Sequence, residues 1–595
     1  MKAGMPAHIA NILKPKRLLL WKEILLDLGY PDADVVSELA NGTELVGEVP
    51  TYGIFEKTFK PAETTVDSLC KEAKSIKQKH YHSCRSSGDK EIDELVWKKT
   101  QEEVELGWAS GPIDIANLPA DAIVSRRFGL RQPGKIRLID DLSASNVNQT
   151  VQCAESPKPQ SIDFVAALLL TILKSSGGAQ IQGRSFDLKS AYKQLAIAES
   201  SLQFAFVAIY NPYKKRAELY QLLAAPFGAT RSVYSFLRIS HAIWFTGVKA
   251  LKIMWSVFFD DYVVFSQKLH VKSTEATVEL LFRLLGWKFA EEGEKATCFG
   301  DDFSALGVRL NLENANLGKI SFIDTEKRIA ELTSAIEDII RKGRMTVLES
   351  QKLRGRMQFA DGQVFGRLGK LCMKAITQHA FKGRGDKLEK PTVDALRRFV
   401  IFLNHAEPRS LELASDSVWT IYTDACYEPQ RTNWVCGLGG VLVNPLGEKV
   451  AFFSMELSTE QRRALGAEFK KTIIFEAELL AMVLAFSVWR SIIGSSSVIC
   501  FVDNNSARDV AISGCGRNCV ASILVEFLLK LEMATNVTLW YTRVPTPSNI
   551  ADDPSRGVVQ YLIESGAECK IPETELQDII KILLESSVKR GDIEQ

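Results

Sequence analysis

The sequence has almost no excess of charge of either sign. Its 73 Lys and Arg side chains and 72 Asp and Glu side chains give the 595 residues a formal net charge of +1. This excludes a protein that holds nucleic acid through bulk positive charge, so any such contact must use local basic grooves. Long apolar runs are also missing. The longest, around residues 164–173, is too short to cross a bilayer. No signal peptide is evident, and we expect an intracellular protein, cytoplasmic or nuclear, with no membrane partner.

Cysteine is scarce and scattered. The eleven cysteines are spread along the chain, which is typical of a reduced intracellular protein and argues against a disulfide scaffold. Two small clusters, Cys515 with Cys519 and His80 with His82 and Cys84, lack a second ligand pair at zinc-finger spacing. A zinc site is therefore not favoured. Internal repeats, an aspartic-protease triplet and an integrase-like metal motif are missing too.

Adjacent carboxylates lie between two β-prone apolar runs at residues 257–265. This pattern predicts a β-hairpin with Asp260 and Asp261 at its tip, and the ordinary alternative is a solvated turn. A second β-prone segment ends at Asp187. Transfer of a nucleotide to a 3′-hydroxyl uses two Mg²⁺ ions, which carboxylates bind well. If the fold brings the three acids together, they supply those ligands.

Several blocks that surround these acids resemble, in order, the motifs of a retroelement reverse transcriptase. They are residues 135–146 for the fingers, 183–197 for the first palm motif, 225–228 for the template and nucleotide motif, 258–261 for Tyr-x-Asp-Asp, 285–295 for the following motif and 303–308 for the primer grip. Phe258 replaces the family's tyrosine, which removes a hydroxyl beside the primer but no metal ligand. Residues 126–130 and 139–141 look closest to the tyrosine-recombinase (DIRS-type) group.

The resemblance implies roles for five further residues in substrate binding. Arg137 grips the triphosphate, Phe227 and Gly228 belong to the template and nucleotide motif, and Lys295 protonates the leaving pyrophosphate. Tyr192, five positions after Asp187, would lie beneath the sugar and leave no room for a 2′-hydroxyl. Deoxynucleotides are therefore the expected substrates. Taken alone, an aromatic residue at that position would be ordinary core packing.

A second set of acids follows in the C-terminal part of the chain. Asp424 and Asp503 each end a β-prone run, Glu478 lies near the start of an amphipathic helix, and Asp552 precedes the tail. Acids are common at strand ends and helix starts, so each is unremarkable alone. Their order resembles the ribonuclease H domain that follows such polymerases. The resemblance favours Glu478 over Glu476 and Asp552 over Asp553. The family's mobile histidine is missing from residues 544–548, which puts product release in doubt.

Together these patterns predict an α/β (α+β) fold, a right-hand polymerase with fingers, palm and thumb followed by a ribonuclease H-like mixed sheet. The expected divisions are a helical region of unknown role at 1–110, fingers and palm at 111–315, a helical thumb and connection at 316–412, the ribonuclease H-like domain at 413–558 and a helix with a tail at 559–595. Each site should bind two Mg²⁺ ions, with Mn²⁺ as the alternative. The expected partners are an RNA template, a DNA primer, RNA–DNA hybrid and dNTPs.

Two other readings remain open. A decayed or host-recruited copy would still bind nucleic acid without catalysis, although all seven proposed ligands are present. An RNA-directed RNA polymerase is disfavoured by Tyr192 and by the ribonuclease H block. The sequence does not reveal the oligomeric state.

Overall fold

The computed structural model describes residues 4–132, 135–293, 295–361, 369–381, 385–405, 408–413, 418–430, 433–468, 470–494, 496–516, 518–535 and 537–591. The chain divides into two compact units, Met1–Leu306 and Gly307–Gln595. Both units combine helices with β-sheets, so the predicted α/β class is confirmed. The finer domain limits stay predictions. Among the described residues, none of the helices has the length and apolar character needed to span a membrane.

The first unit contains nine of the described helices. They are α1 (Ala7–Ile12), α2 (Leu18–Asp27), α3 (Val35–Asn41), α4 (Val66–Lys71), α5 (Ala73–His82), α6 (Lys90–Glu105), α7 (Ile162–Ser175), α8 (Thr230–Leu251) and α9 (Val271–Leu285). Its strands are β1 (Glu48–Val49), β2 (Glu56–Lys60), β3 (Ala109–Ile113), β4 (Val124–Gln132), β5 (Lys135–Asp141), β6 (Gln152–Ser156), β7 (Ile181–Asp187), β8 (Phe206–Asn211), β9 (Arg216–Leu222), β10 (Met254–Phe258), β11 (Asp261–Gln267) and β12 (Asp302–Ala305).

The palm-like sheet has the order β10-β11-β7 and is antiparallel throughout. Strands β10 and β11 form the predicted hairpin, because apolar β-prone residues bury both of its faces against α7, α8 and α9. The prediction that Asp260 and Asp261 both occupy the tip needs a correction. Phe259 and Asp260 form the turn, whereas Asp261 begins β11 opposite Phe258. Phe259 has a φ of 54°, a conformation that is costly for a bulky residue.

The N-terminal helices pack directly on the palm core. Trp21 from α2 is fully buried with Trp255 from β10 and Trp287, in one cluster that also contains the palm residue Phe186. A five-stranded sheet of order β3-β9-β8-β4-β5 forms the fingers-like part. Glycine and proline punctuate residues 41–61, which predicts a loop, yet this stretch contains β1 and β2, which pair with β6. Pairing with a distant strand is what local sequence cannot show.

The second unit begins with strands β13 (Val308–Asn311) and β14 (Lys319–Asp324) and a four-helix group, α10 (Glu326–Lys342), α11 (Val347–Ala360), α12 (Lys370–Phe381) and α13 (Lys390–His405). Strand β15 (Arg409–Glu412) pairs back onto β14. The first two helices, α10 and α11, fall within residues 316–412, for which the sequence predicts helices. Thr325 and Thr346 cap them by accepting backbone N–H bonds from residues three positions later.

A mixed six-stranded sheet forms the rest of the second unit. Its strands are β16 (Val418–Gln430), β17 (Asn433–Val443), β18 (Lys449–Glu456), β19 (Ser497–Val502), β20 (Thr538–Arg543) and β21 (Glu568–Cys569), in the order β20-β19-β16-β17-β18-β21. Its helices are α14 (Thr459–Ala464), α15 (Ile474–Ile493), α16 (Asn505–Ser513), α17 (Cys519–Thr535), α18 (Asp552–Ser555), α19 (Gln560–Glu564) and α20 (Glu573–Gly591). Strands β16 to β18 are antiparallel, while β19 and β20 run parallel to β16. This is the ribonuclease H-like mixed sheet that the sequence predicts.

The core of this sheet lies beneath α15 and α17. Helix α15 is apolar nearly all round, and its residues from Ala477 to Phe486 are all buried. The C-terminal helix α20 adds Leu576, Ile579 and Leu583 to the same core. Strand β16 is longer than predicted. It continues past Asp424 to Gln430 because β17 pairs with it from Thr420 to Gln430.

Candidate active sites

The first acidic site is built by the register of the palm sheet. Strands β7 and β11 pair antiparallel with Asp187 directly opposite Asp261, so the two carboxylates leave the end of the sheet side by side. Asp260 follows from the adjoining turn, and its carbonyl accepts a 3.0 Å hydrogen bond from the N–H of Leu188. Three acids from two distant parts of the sequence therefore meet at one sheet edge.

Burial and mutual repulsion disfavour the ionised form of these carboxylates unless a positive charge compensates them. Burial, and then the charges of Asp260 and Asp187, raise the pKa of Asp261 to about 7. Burial and the charge of Asp187 likewise raise the pKa of Asp260. Lys295 donates a 2.5 Å hydrogen bond to Oδ2 of Asp187. Although burial lowers the pKa of Lys295, this bond and the neighbouring charges raise it on balance. Such an all-oxygen, anionic donor set fits divalent cations.

The residues assigned to nucleotide binding lie around these acids. Tyr192 is buried, stacks on Phe236 at 4.9 Å between ring centroids and meets Phe227 edge-on at 5.5 Å. Burial, followed by the charge of Asp260, raises the pKa of Tyr192, which places this residue near the acids. Arg137 on β5 is exposed, and its charge also acts on Asp260.

Gly228 explains how the template and nucleotide motif approaches the fingers-like sheet. Its φ of 127° is one that side chains rarely adopt, and an added Cβ would lie 2.6 Å from the carbonyl oxygen of Asp140. Asn148 donates a 2.9 Å hydrogen bond to the Gly228 carbonyl. The motif thus rests on the end of β5, the strand that carries Arg137.

A buried ion-pair network behind this site was not predicted. Glu103 from α6 contacts both Lys193, in the turn after Asp187, and Arg127 on β4. Arg127 also donates a 2.6 Å hydrogen bond to Asp140. The partners are far apart in the chain, so local pattern gives no signal for them.

The second acidic site is tighter. Asp424 on β16, Glu478 on α15 and Asp503 at the end of β19 place one carboxylate oxygen each within 4.8 Å of one another. In the described ranges this is the one cluster of three acidic, His or Cys ligands so closely gathered, and the acids of the first site are more widely spread. Oε2 of Glu478 is buried and has no hydrogen-bond partner among the described residues. An orphaned, buried carboxylate oxygen between two other acids fits a bound cation.

The pKa values of the acids in the second site also indicate a need for a compensating cation. Burial raises the pKa of Asp424 to about 7, against a hydrogen bond from Ser555 and with added repulsion from Asp503 and Asp552. Burial and the charges of Asp424 and Asp503 raise the pKa of Glu478 well above its usual value. Without a cation, these groups resist ionisation.

Several side chains orient the acids of the second site, and sequence reasoning did not identify them. Ser555 donates a 2.6 Å hydrogen bond to Oδ2 of Asp424, and Asn549 donates one of 3.2 Å to Oδ1. Thr546 donates a 2.9 Å bond to Oδ2 of Asp503, from the loop where the family carries its histidine. The motif around Asp552 contains Asn549 and Ser555, which was the available signal.

The resemblance favours Glu478 over Glu476 and Asp552 over Asp553, and the members of each pair have different surroundings. Glu476 is buried but paired, because Lys470 and Asn518 both donate hydrogen bonds to its Oε1. Glu478 is the one beside the other acids. Asp552 is half-buried and its charge reaches Asp424, although Arg556 also donates two 3.3 Å hydrogen bonds to it. Asp553 is exposed.

Close packing of α18 on the sheet depends on glycine. A Cβ on Gly439 would lie 2.4 Å from the backbone nitrogen of Ser555, and one on Gly437 would lie 1.9 Å from the Ser555 oxygen. Gly439 is the register partner of Asp424 on the adjacent strand. Because β17 has no side chain at these two glycines, the helix that carries Asp552 and Ser555 can lie directly against the acids.

Comparison with known proteins finds distant structural likeness. No protein-family model and no curated protein matches the chain. One similar solved structure is the foamy viral protease-reverse transcriptase dRH in complex with ds DNA, at 15% identity and a TM-score of 0.43, covering 88% of this chain and 82% of that chain. Another is the foamy viral protease-reverse transcriptase in complex with RNA/DNA hybrid, at 14% identity and a TM-score of 0.41, covering 88% of this chain and 63% of that one.

Proposed function

We propose that this chain is an RNA-directed DNA polymerase of a retrotransposon-like element, with an attached ribonuclease H activity. The observation that carries the proposal is the presence of two acidic sites, one in each unit, formed by acids that are distant in sequence. Each site has carboxylates whose pKa is raised mainly by burial. A protein that only binds nucleic acid has no need to hold such groups together against their repulsion.

In the polymerase site, Asp187, Asp260 and Asp261 would hold two Mg²⁺ ions, with Mn²⁺ as the alternative. Bound there, the ions activate the primer 3′-hydroxyl and stabilise charge on the triphosphate. Lys295, which donates a hydrogen bond to Asp187, would deliver a proton to the leaving pyrophosphate. Arg137 and the turn at Phe227 and Gly228 would bind the incoming dNTP against the RNA template and DNA primer.

Selection of deoxynucleotides would rest on Tyr192. Its ring is fixed between Phe227 and Phe236, so it has little freedom to move away from a bulkier sugar. A rigid aromatic face excludes a 2′-hydroxyl by steric contact, whereas a flexible side chain would yield. This favours a DNA polymerase over an RNA polymerase.

In the nuclease site, Asp424, Glu478, Asp503 and Asp552 would hold two divalent ions that activate water for attack on an RNA phosphate. Ser555 and Asn549 hold Asp424 in place through its two oxygens. Thr546, which lies in the loop that lacks a histidine, holds Asp503 through a hydrogen bond. The expected substrate is the RNA strand of an RNA–DNA hybrid, recognised through its 2′-hydroxyls.

One assay tests both activities. A labelled DNA primer annealed to labelled RNA is incubated with Mg²⁺ and either dNTPs or rNTPs, and both primer extension and RNA loss are followed. We expect extension with dNTPs and loss of RNA from the hybrid. Asp260→Asn should abolish extension alone and Asp503→Asn hydrolysis alone, while exposed Asp509→Asn serves as the matched control. A wild-type protein that binds hybrid but does neither, with Mg²⁺ or Mn²⁺, would support the decayed or host-recruited alternative.

A further inference from the structure

Lys16 in the N-terminal segment is buried without an acidic partner. It is 3% exposed, and none of the ion pairs in the described part of the chain includes it. Its Nζ donates hydrogen bonds to Oε1 of Gln194, at 2.7 Å, and to the carbonyl oxygen of Gly286, at 2.9 Å. The same atom lies 3.4 Å from the ring centroid of Trp287. Lysine is almost never fully buried unless it is paired, so this arrangement needs a reason.

The cost of this burial is visible in the charge balance. Burial and then the charge of Lys288 lower the pKa of Lys16 well below its usual value. A methionine or leucine at this position would bury as much apolar surface without that penalty. The lysine is therefore poorly explained by stability alone.

The hydrogen-bond partner Gln194 joins two loops that meet at the polymerase acids. Its Nε2 donates 2.9 Å hydrogen bonds to the carbonyl oxygens of both Lys189 and Lys288. Its Oε1 also accepts a 3.0 Å bond from the N–H of Lys288. Lys189 begins the turn that leads from Asp187 to Tyr192, and Lys288 belongs to the segment after α9.

That segment contacts Asp187 itself. The N–H of Ala290 donates a 2.9 Å hydrogen bond to the carbonyl oxygen of Asp187, and the N–H of Lys189 donates one of 3.0 Å to Lys288. Lys16 is thus two hydrogen-bond steps from the backbone of Lys189 and of Lys288, which belong to the two segments next to the proposed metal ligand Asp187.

A second contact fixes the N-terminal segment at the same place. Gly286 has a φ of 81°, and an added Cβ would lie 2.0 Å from the carbonyl oxygen of Pro15. The N–H of Arg17 also donates a 3.3 Å hydrogen bond to Leu285. Residues 15–17 therefore lie directly on the turn that ends α9, with Lys16 pointing inward between them.

We propose that Lys16 is a positioning residue of the polymerase site, which sets Asp187 and Tyr192 through Gln194 and the loop at 286–290. The inference rests on the proposed polymerase function and assigns a role in it to the N-terminal segment. Lys16 does not touch substrate. It orients the Gln194 amide so that this side chain can bridge the two loops.

The test compares Lys16→Met with wild type in the full chain. Methionine fills a similar volume and can pack on Trp287, so the variant should fold and have an unfolding midpoint equal to or above that of wild type. We expect kcat for dNTP incorporation to fall about 10- to 100-fold, as for a small displacement of reacting groups. KM for dNTP should change far less, and RNA hydrolysis should be unchanged.

Lys22→Met is the matched control, because Lys22 lies on the same N-terminal segment and donates a 3.2 Å hydrogen bond to Ser37 of α3, away from Gln194. A double variant with Gln194→Met should be no slower than the slower single variant, since both changes break one connection. Additive losses of kcat would contradict the proposed route through Gln194.

Hydrogen exchange gives a readout that does not need polymerase activity. In Lys16→Met the amides of Leu188, Lys189 and Ala290 should exchange faster, while those of β16 and β19 should not change. Unchanged exchange at these amides would overturn the inference. So would a loss of unfolding midpoint and of RNA hydrolysis in parallel with extension. If wild type extends no primer, the proposed function fails, and the exchange result still decides whether Lys16 orders the loops.

Discussion

Replacing Glu478 by glutamine should stabilise the metal-free protein while it removes a ligand from the proposed nuclease site. Glu478 is 3% exposed, and its carboxylate lies within 4.8 Å of ligand oxygens from Asp424 and Asp503. Two unit charges at that distance repel by about 3 kcal/mol at an effective dielectric constant of about 20. Part of this is relieved by proton uptake, as the raised pKa of Glu478 indicates. We therefore expect Glu478→Gln to raise the free energy of unfolding of the second unit by about 1–3 kcal/mol at pH 8 in EDTA.

The assay is calorimetric unfolding in EDTA and again in excess Mg²⁺, following the transition that Mg²⁺ shifts in wild type. A gain of 1 kcal/mol corresponds to about 2–4 °C in the unfolding midpoint of a unit of this size. Mg²⁺ should stabilise wild type by mass action and the variant much less. The stability advantage of Glu478→Gln over wild type should therefore shrink or reverse in Mg²⁺. RNA hydrolysis should be lost.

The neighbouring Glu476→Gln is the matched control on the same helix. Glu476 is equally buried, but it pairs with Lys470 and Asn518, so losing its charge should destabilise the protein in both buffers. If Glu478→Gln is less stable than wild type in EDTA, then the acids are not held together against repulsion. No cation would then be needed to offset repulsion among Glu478, Asp424 and Asp503.

Three further predictions concern other parts of the chain. Tyr192→Ala should admit ribonucleotides in primer extension, and unchanged discrimination would remove Tyr192 from sugar selection. Asp361 has a pKa raised to about 7, chiefly by burial and against a hydrogen bond from Gly369, so it stabilises the fold below its ordinary pKa, and this contribution fades as pH rises through 7. Urea midpoints should consequently fall between pH 5 and 8, and Asp361→Asn should flatten that slope. Gly439→Ala should lower stability by about 1–3 kcal/mol and impair RNA hydrolysis, because its Cβ meets the backbone of Ser555; full nuclease activity would show that α18 can shift.

Local pattern predicted the elements that carry the acids. The apolar runs around Asp260 are enough to predict a hairpin, and the helix and strand of Glu478 and Asp503 follow from ordinary periodicity. The resemblance of their order along the chain to reverse transcriptase and ribonuclease H motifs then predicted which acids share a site. The pairing of β7 with β11, which brings Asp187 to Asp261, is a long-range register that pattern alone leaves open.

The features that sequence did not predict depend on contacts between distant segments. Nothing near Glu103 signals its bonds to Lys193 and Arg127, and nothing near Lys16 signals its burial on Trp287. Strand β16 extends beyond its apolar segment because β17 pairs with its polar C-terminal end. In each case the contact with a distant segment, rather than the local composition, determines the structure.

Helix α20 has a practical consequence for dissecting this protein. Leu576, Ile579 and Leu583 complete the hydrophobic layer over α15 and α17, although they follow the last proposed acid by more than twenty positions. A fragment ending at residue 558 would leave that layer facing water and should aggregate during purification. A fragment made to study the proposed nuclease site in solution should extend at least through Leu584.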